Sequence, residues 1–224
     1  MASDSPETAV ESGAPRWRRR KADRPSEIMS AALQEFLAHG YEATRLEDVA
    51  RRAGCTKGTI FLYFPGKAEL FKTAVREALF PILQSAEQDF SISFEGSMRE
   101  LLERLLRTRW SLIQNSGSVA LGGMILANGG RFPDIARFYH DEVLSRSHAL
   151  YTRILEMGVA RGEFRPLDAP EVARVAMAPL LLGMVWRQSF NNEALPPFDG
   201  PALIEAQMDQ FFRGIAAEPQ RGMA

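Results

Sequence analysis

Side chains able to act as nucleophiles, proton carriers or metal ligands are few and poorly spaced for catalysis. The three histidines, His39, His140 and His148, include no i, i+4 pair that would set two metal ligands on one helix face. His140-Asp141-Glu142 could bind a metal or exchange a proton, but three consecutive polar residues read more simply as a solvated helix face. There is no GxSxG, HExxH or Walker loop, and Gly66-Lys67 lacks the upstream glycine of a P-loop. Cys55 is the one cysteine, which excludes an internal disulfide framework and reads as a small apolar turn residue. With no nucleophile–base pair and no ligand set, the expectation is no enzyme, no cofactor and no metal. A different chemistry is concentrated in residues 44–67. There Thr56, Lys57 and Thr59 offer hydroxyl and ammonium donors a few residues apart, suited to anionic oxygens and to polar ring edges.

The charge distribution supports an anionic partner for that region. The formal net charge of −1 hides a split. Residues 1–15 carry −3, residues 16–77 carry +5 and residues 78–224 carry −3. All four lysines, Lys21, Lys57, Lys67 and Lys72, fall in the middle block. Its densest part is Arg16, Arg18, Arg19, Arg20, Lys21 and Arg24, read as a basic arm that either tracks an anion or is simply solvated.

These residues must be positioned by helices. After Pro25, Ile28, Ala31, Ala32, Leu33, Phe36 and Leu37 share one face at helical period, and Gly40 ends that helix. Thr44 and Glu47 have the spacing of a capping box for a second helix with Leu46, Val49, Ala50 and Ala53 inward. Gly54 ends it, Thr56 caps a third short helix to about Tyr63, and Pro65-Gly66 stops that one. Two short helices around a tight glycine turn have the layout of a helix-turn-helix, about residues 45–64, whose second helix enters the DNA major groove. The outward positions of that helix are Thr56, Lys57, Thr59 and Leu62.

A fourth helix opens near Lys67, and Pro81 is expected to kink or end it. Further helices read from about Met98 to Gln114, Val119 to Ala127, Pro133 to Arg161, Pro170 to Phe190 and Pro201 to Ala216. No run alternates like a strand. The fold class is therefore all-α, with a three-helix head followed by a larger helical domain. Residues 1–15 and 219–224 are expected as disordered tails, 16–78 as arm plus DNA-binding head, and 79–218 as the regulatory and dimerisation domain. The longest apolar stretch, Val175 to Trp186, is too short to cross a bilayer, and the polar, acidic N-terminus is no signal peptide. A cytoplasmic, nucleoid-associated protein with no membrane partner is expected.

The stretch GYEATRLEDVARRAGCTKGTIFLYFPGKAELF, residues 40–71, resembles the tetracycline-repressor (TetR) family of transcriptional regulators. Gly40-Tyr41, Thr44, Val49-Ala50, Ala53-Gly54, Lys57-Gly58-Thr59, Tyr63-Phe64 and Lys67 stand at that family's spacings, and the likeness covers roughly residues 25–78. The resemblance implies a homodimer on a double-stranded DNA operator, with a small-molecule pocket in the larger domain and an interface built by the last two helices. It further implies that Thr44 and Arg45 touch phosphate, and that Thr56 caps the recognition helix and turns its N-terminal dipole to the backbone. Lys57 and Thr59 would read base edges, Gly58 would permit close approach, and Phe61 would meet a thymine methyl or sugar. The Tyr63 hydroxyl and Lys67 amine would bind phosphates. Leu62 departs from the family, where a polar residue is common, and leaves fewer polar base readers.

Helix phase nominates Trp110, Ile113, Gln114, Met124, Ile125, Asn128, Phe138, Met177 and Trp186 as pocket walls. Aromatic and Met walls with two amides suit a neutral or cationic hydrophobic ligand. Leu181, Met184, Met208 and Phe211 are expected at the dimer interface. The function expected is a repressor released by a small hydrophobic molecule. A helical enzyme and a constitutive DNA-binding protein are the alternatives.

Overall fold

A computed structural model turns these periodicities into ten α-helices and one π-helical turn among the described residues, which are 16–91, 96–115, 117–190 and 199–217. The expected tails lie outside the described residues. The head comprises α1 (Arg16–Ala43), α2 (Leu46–Arg52) and α3 (Lys57–Phe61). The long α4 (Lys67–Ser91) joins it to α5 (Met98–Asn115), α6 (Gly117–Asn128), α7 (Pro133–Tyr139), a π turn (His140–Leu144), α8 (Ser145–Ala160), α9 (Ala169–Phe190) and α10 (Gly200–Ile215). One isolated bridge, Phe164 to Ala216, is the nearest thing to a strand among the described residues.

Three local expectations change. First, α1 begins at Arg16, so the expected arm has helical backbone and Pro25 lies inside the helix. Extending the helix lets Arg24 donate to the Ala53 carbonyl at 3.2 Å and pair with Glu27 at 2.7 Å, bonds an extended arm would lose. Second, Thr44 does not cap α2. Gly40 adopts φ 79°, kinking the end of α1 and freeing carbonyls there. The Thr44 hydroxyl turns inward to the Gly40 carbonyl at 2.6 Å and the Glu35 carbonyl at 3.1 Å. Arg45 takes the cap position with no side-chain cap, and the capping box does not form. Third, α4 passes through Pro81 as one element. Both Pro81 and Glu77, one turn earlier, are exposed, so water can serve the carbonyl that Pro81 cannot bond.

The core is continuous from head to regulatory domain. Leu70, Phe71, Ala74, Val75, Leu79 and Leu83 form the buried face of α4. Phe71 meets Phe36 of α1 edge-on at 4.8 Å and Tyr41 at 5.0 Å, while Tyr41 meets Phe132, ahead of α7, at 4.8 Å. Arg131 pairs with Glu42, and the Tyr41 N–H donates to the Met124 sulfur at 3.2 Å. The corner after α1 is thus fastened to the regulatory domain. At 22 residues, α9 has the length and apolar composition of a bilayer-crossing helix, although Val175–Trp186 alone is too short. In this structure it packs on α6 and α8 and buries Ala173, Ala176, Met177, Leu180 and Met184.

Candidate nucleic-acid interface and regulatory cavity

Gly54 (φ 61°) makes the turn between α2 and α3, and Ile60 anchors α3 with its side chain fully buried. Thr56 caps α3 as expected: its hydroxyl accepts the Thr59 N–H at 3.2 Å, with the two hydroxyls 2.9 Å apart. Arg45, Thr56, Lys57, Gly58, Phe61 and Leu62 are exposed, while Thr59 and Tyr63 are half-buried. Phe61 and Leu62, 49% and 80% exposed, give this face an unusual apolar character. Lys57 bonds Glu47 of α2 at 2.7 Å and lies 5.9 Å from the Phe61 ring centre. That bond holds the Glu47 carboxyl below the usual carboxylate range. A Cβ at Gly58 would meet nothing nearer than the Thr56 hydroxyl at 3.7 Å, so nothing inside the protein requires glycine there.

Two expected phosphate contacts have other duties. Thr44 is only 2% exposed with its hydroxyl committed as above, so its side chain cannot reach a phosphate. The Lys67 ammonium donates to the Glu42 and Thr44 carbonyls, each at 2.8 Å, and stands 4.8 Å over the Tyr41 ring. Burial lowers its pKa. Both residues lock the α1–α2 corner and so set the angle at which α3 is presented.

The expected pocket residues scatter. Ile113 and Met177 line an apolar cavity of about 80 Å³ between α4, α5, α8 and α9. Met124, Ile125 and Asn128 instead line a cavity of about 370 Å³ beneath the α1–α2 corner. Trp110 and Gln114 stand over Gly200, and the Trp110 ring also covers Gly183. Phe138 packs under Arg76 and Lys72, and Trp186 meets Phe190 at a tilt, ring centres 5.0 Å apart. Helix phase locates a buried face but not which neighbour it meets, and that decides between core and cavity. The apolar cavity also takes Leu79, Ile82 and Leu83 from α4, and Tyr139, Val143, Leu144, Ser147 and Tyr151 from the π turn and its flanks. Its one charged wall residue is Arg109, which sequence reasoning passed over because arginines on helices read as solvated. The expectation of a neutral or cationic ligand rested on amide walls; this wall carries a cation.

Met184, Met208 and Phe211 are buried within the protomer, and Leu181 lines the cavity, so none of the four forms an exposed apolar patch. The exposed large apolar residues of α9 are Val175, Leu182 and Phe190. Of the His140-Asp141-Glu142 run, Glu142 is held by Arg76 of α4, Nε to Oε2 at 2.7 Å, and His140 bonds the neighbouring Asp141 at 2.7 Å.

The comparisons agree with this geometry. Residues 28–74 match the model of bacterial regulatory proteins of the tetR family, and residues 94–195 match the tetracyclin repressor-like C-terminal domain. The HTH-type transcriptional regulator YhgD of Bacillus subtilis is 27% identical over 196 residues, covering 87% of this chain and 98% of the relative. The HTH-type transcriptional repressor BepR of Brucella suis is 29% identical, over 82% of this chain and 86% of its own. Among solved structures, FadR of Bacillus subtilis in complex with stearoyl-CoA shares the fold at TM-score 0.70 and 20% identity, over 85% of this chain and 98% of FadR. The matched family and these relatives are transcriptional regulators, not enzymes, and the helical-enzyme alternative falls away. With a head that presents α3 outward and both family models matched in their expected order, the chain belongs to the tetR family of helix-turn-helix transcriptional regulators.

Proposed function

We propose that the protein is a cytoplasmic homodimeric repressor that reads a palindromic operator through two copies of α3 and leaves it when a small apolar molecule enters the cavity of the regulatory domain. The continuity of α4 carries this reading. Its N-terminal turn, through Lys67, braces the corner that orients α3, while Leu79, Ile82 and Leu83, three turns and more along it, line the cavity. Two ion pairs tie α4 to the opposite cavity wall, Arg76 to Glu142 and Arg146 to Glu87 at 2.8 Å. A ligand that separates α4 from the π turn therefore strains the element that sets the spacing of the recognition helices. It releases DNA only by preferring that strained state over the DNA-bound one. The stearoyl-CoA held by the FadR neighbour supports an apolar chain as the ligand class.

On the DNA side, Arg45 and the Tyr63 hydroxyl take phosphates, and Lys57 and Thr59 take base edges. Phe61 and Leu62 meet thymine methyls, and Gly58 allows α3 to come close. Thr44 and Lys67 act by positioning. Selection from a random duplex pool should enrich a near-palindromic site with half-sites about one helical turn, 10–10.5 base pairs, apart or a multiple of it. Recovery of unenriched sequence would overturn the reading.

A further inference from the structure

The apolar cavity has polar groups with nothing to bond. The Tyr151 side chain is 1% exposed and lines the cavity, and its buried hydroxyl has no hydrogen-bond partner. Arg109, on α5, lines the same cavity, and its Nη2 is buried without a partner. Among the described residues no carboxylate pairs with Arg109. Its charge is close enough to act on Tyr151, though burial dominates and pushes that phenol up to about 12, so the hydroxyl keeps its proton as a donor. Buried donors left unpaired cost on the order of 1–3 kcal/mol each, more when charged. In a cavity wall, such donors are placed to be satisfied by an acceptor on a bound molecule.

Arg109 also lines an outer groove between α4 and α5, with Pro81, Ser85, Arg104 and Thr108, so it stands where the cavity meets the surface. The apolar walls of the same cavity include Leu83, Met177, Leu180 and Met184. At about 80 Å³ the cavity is smaller than an eight-carbon chain, so its methionine walls, which adapt their shape, must part to admit one. A cation and a phenol that feel one another within otherwise apolar, adaptable walls are complementary to one kind of molecule.

We propose that the ligand is an amphipathic monocarboxylate, its carboxylate bound by the Arg109 guanidinium and the Tyr151 hydroxyl and its apolar chain packed against Met177 and Met184. This rests on the cavity being the regulatory site. It reverses the neutral or cationic ligand expected from sequence.

The test titrates the full-length protein with octanoate, octanol, octylammonium and octanoyl-CoA, by calorimetry and by thermal shift. Octanoate should bind at least tenfold more tightly than octanol, and octylammonium should bind most weakly. Arg109→Gln should bring octanoate to the level of octanol while leaving octanol unchanged. Ligand-free, that variant should melt no lower than the parent, because it removes a buried Nη2 that has no partner, and this separates lost recognition from lost folding. Tyr151→Phe should weaken octanoate severalfold. Equal binding of octanol and octanoate, or octanoate affinity unchanged in Arg109→Gln, overturns the proposal; so does binding of octanoyl-CoA alone, which moves the anion to a distant headgroup. Operator binding measured without ligand keeps the two readings apart. If it persists while octanoate shows no advantage, the carboxylate assignment has failed; if it is absent, the regulator reading has failed.

Discussion

Lys57 and Lys67 illustrate how one residue type divides its duties by depth. Lys57 is exposed, and its pair with Glu47 is a surface ion pair, a class that contributes little to stability. Its charge is free to be exchanged onto DNA. Lys67 is drawn inward, where its ammonium joins two main-chain carbonyls that the Gly40 kink and the start of α2 leave without helical partners. Lys57→Met should therefore leave the urea unfolding midpoint nearly unchanged and relax base preference at one operator position, costing about 1–3 kcal/mol on the preferred site. Lys67→Met should lower stability by about 1–2 kcal/mol in urea unfolding, the cost of leaving those carbonyls unserved. An unmoved midpoint in Lys67→Met would show that the clamp contributes nothing. The motif spacing marked both lysines as important, but not their different depths, because depth depends on where the corner after α1 folds back. Thr44 escaped for the same reason: Ser/Thr at position 44 with Glu at 47 is a capping pattern until a kinked glycine four residues earlier offers its hydroxyl a better acceptor.

At the scale of elements, most helix limits were legible within a residue or two, since apolar period and Gly/Pro punctuation fix them locally. Examples are α5 (Met98–Asn115) and α9 (Ala169–Phe190). The π turn at His140–Leu144 was not legible, because a single extra residue in a helix leaves no composition mark. It nonetheless shapes the cavity, turning Val143 and Leu144 toward α4 and α9. Nor was the tight crossing of α6 and α9 visible. A Cβ built at Gly123 would lie 2.6 Å from the Met184 carbonyl oxygen, and backbone cannot yield as a side-chain tip can. Gly123→Ala should cost about 1–3 kcal/mol despite alanine's better helix propensity, because the two helices must move apart. Gly58→Ala is the control. It has open space and should gain up to about 1 kcal/mol of stability while losing DNA affinity, if close approach to the groove is what position 58 provides. Chemical denaturation of both variants, paired with operator titration, separates the two uses of glycine.

Across the whole molecule, the two-fold operator proposed above would require two heads at a fixed distance, and the exposed apolar stripe of α9 is the face proposed to hold them there. Along α9, Val175, Ala178 and Leu182 recur at spacings of three and four on the exposed side, with half-buried Trp186 next and Phe190 beyond it. Val175 is 62% exposed and Leu182 47%, too much for intrachain core, and the opposite face of the same helix is already spent on α6 and α8. The sequence showed a helix apolar nearly all round, which requires burial on two sides. It did not show which side goes to which neighbour, and so Met184, Met208 and Phe211 were assigned outward when they complete the protomer's own core. Pairing α9 with its symmetry mate covers the exposed stripe with an isologous contact, in which each residue meets the partner's equivalent surface. The double variant Val175→Glu, Leu182→Glu should sediment as a folded monomer, with helical circular dichroism retained. Its operator affinity should fall by about 100-fold or more, because the second half-site is no longer held at high local concentration. Met184→Glu should instead lose helicity outright, since it buries a charge beneath Gly122 and within the cavity wall. If the double variant still sediments as a dimer, the subunits meet on another face, and the spacing of the two α3 helices must be set by contacts away from α9.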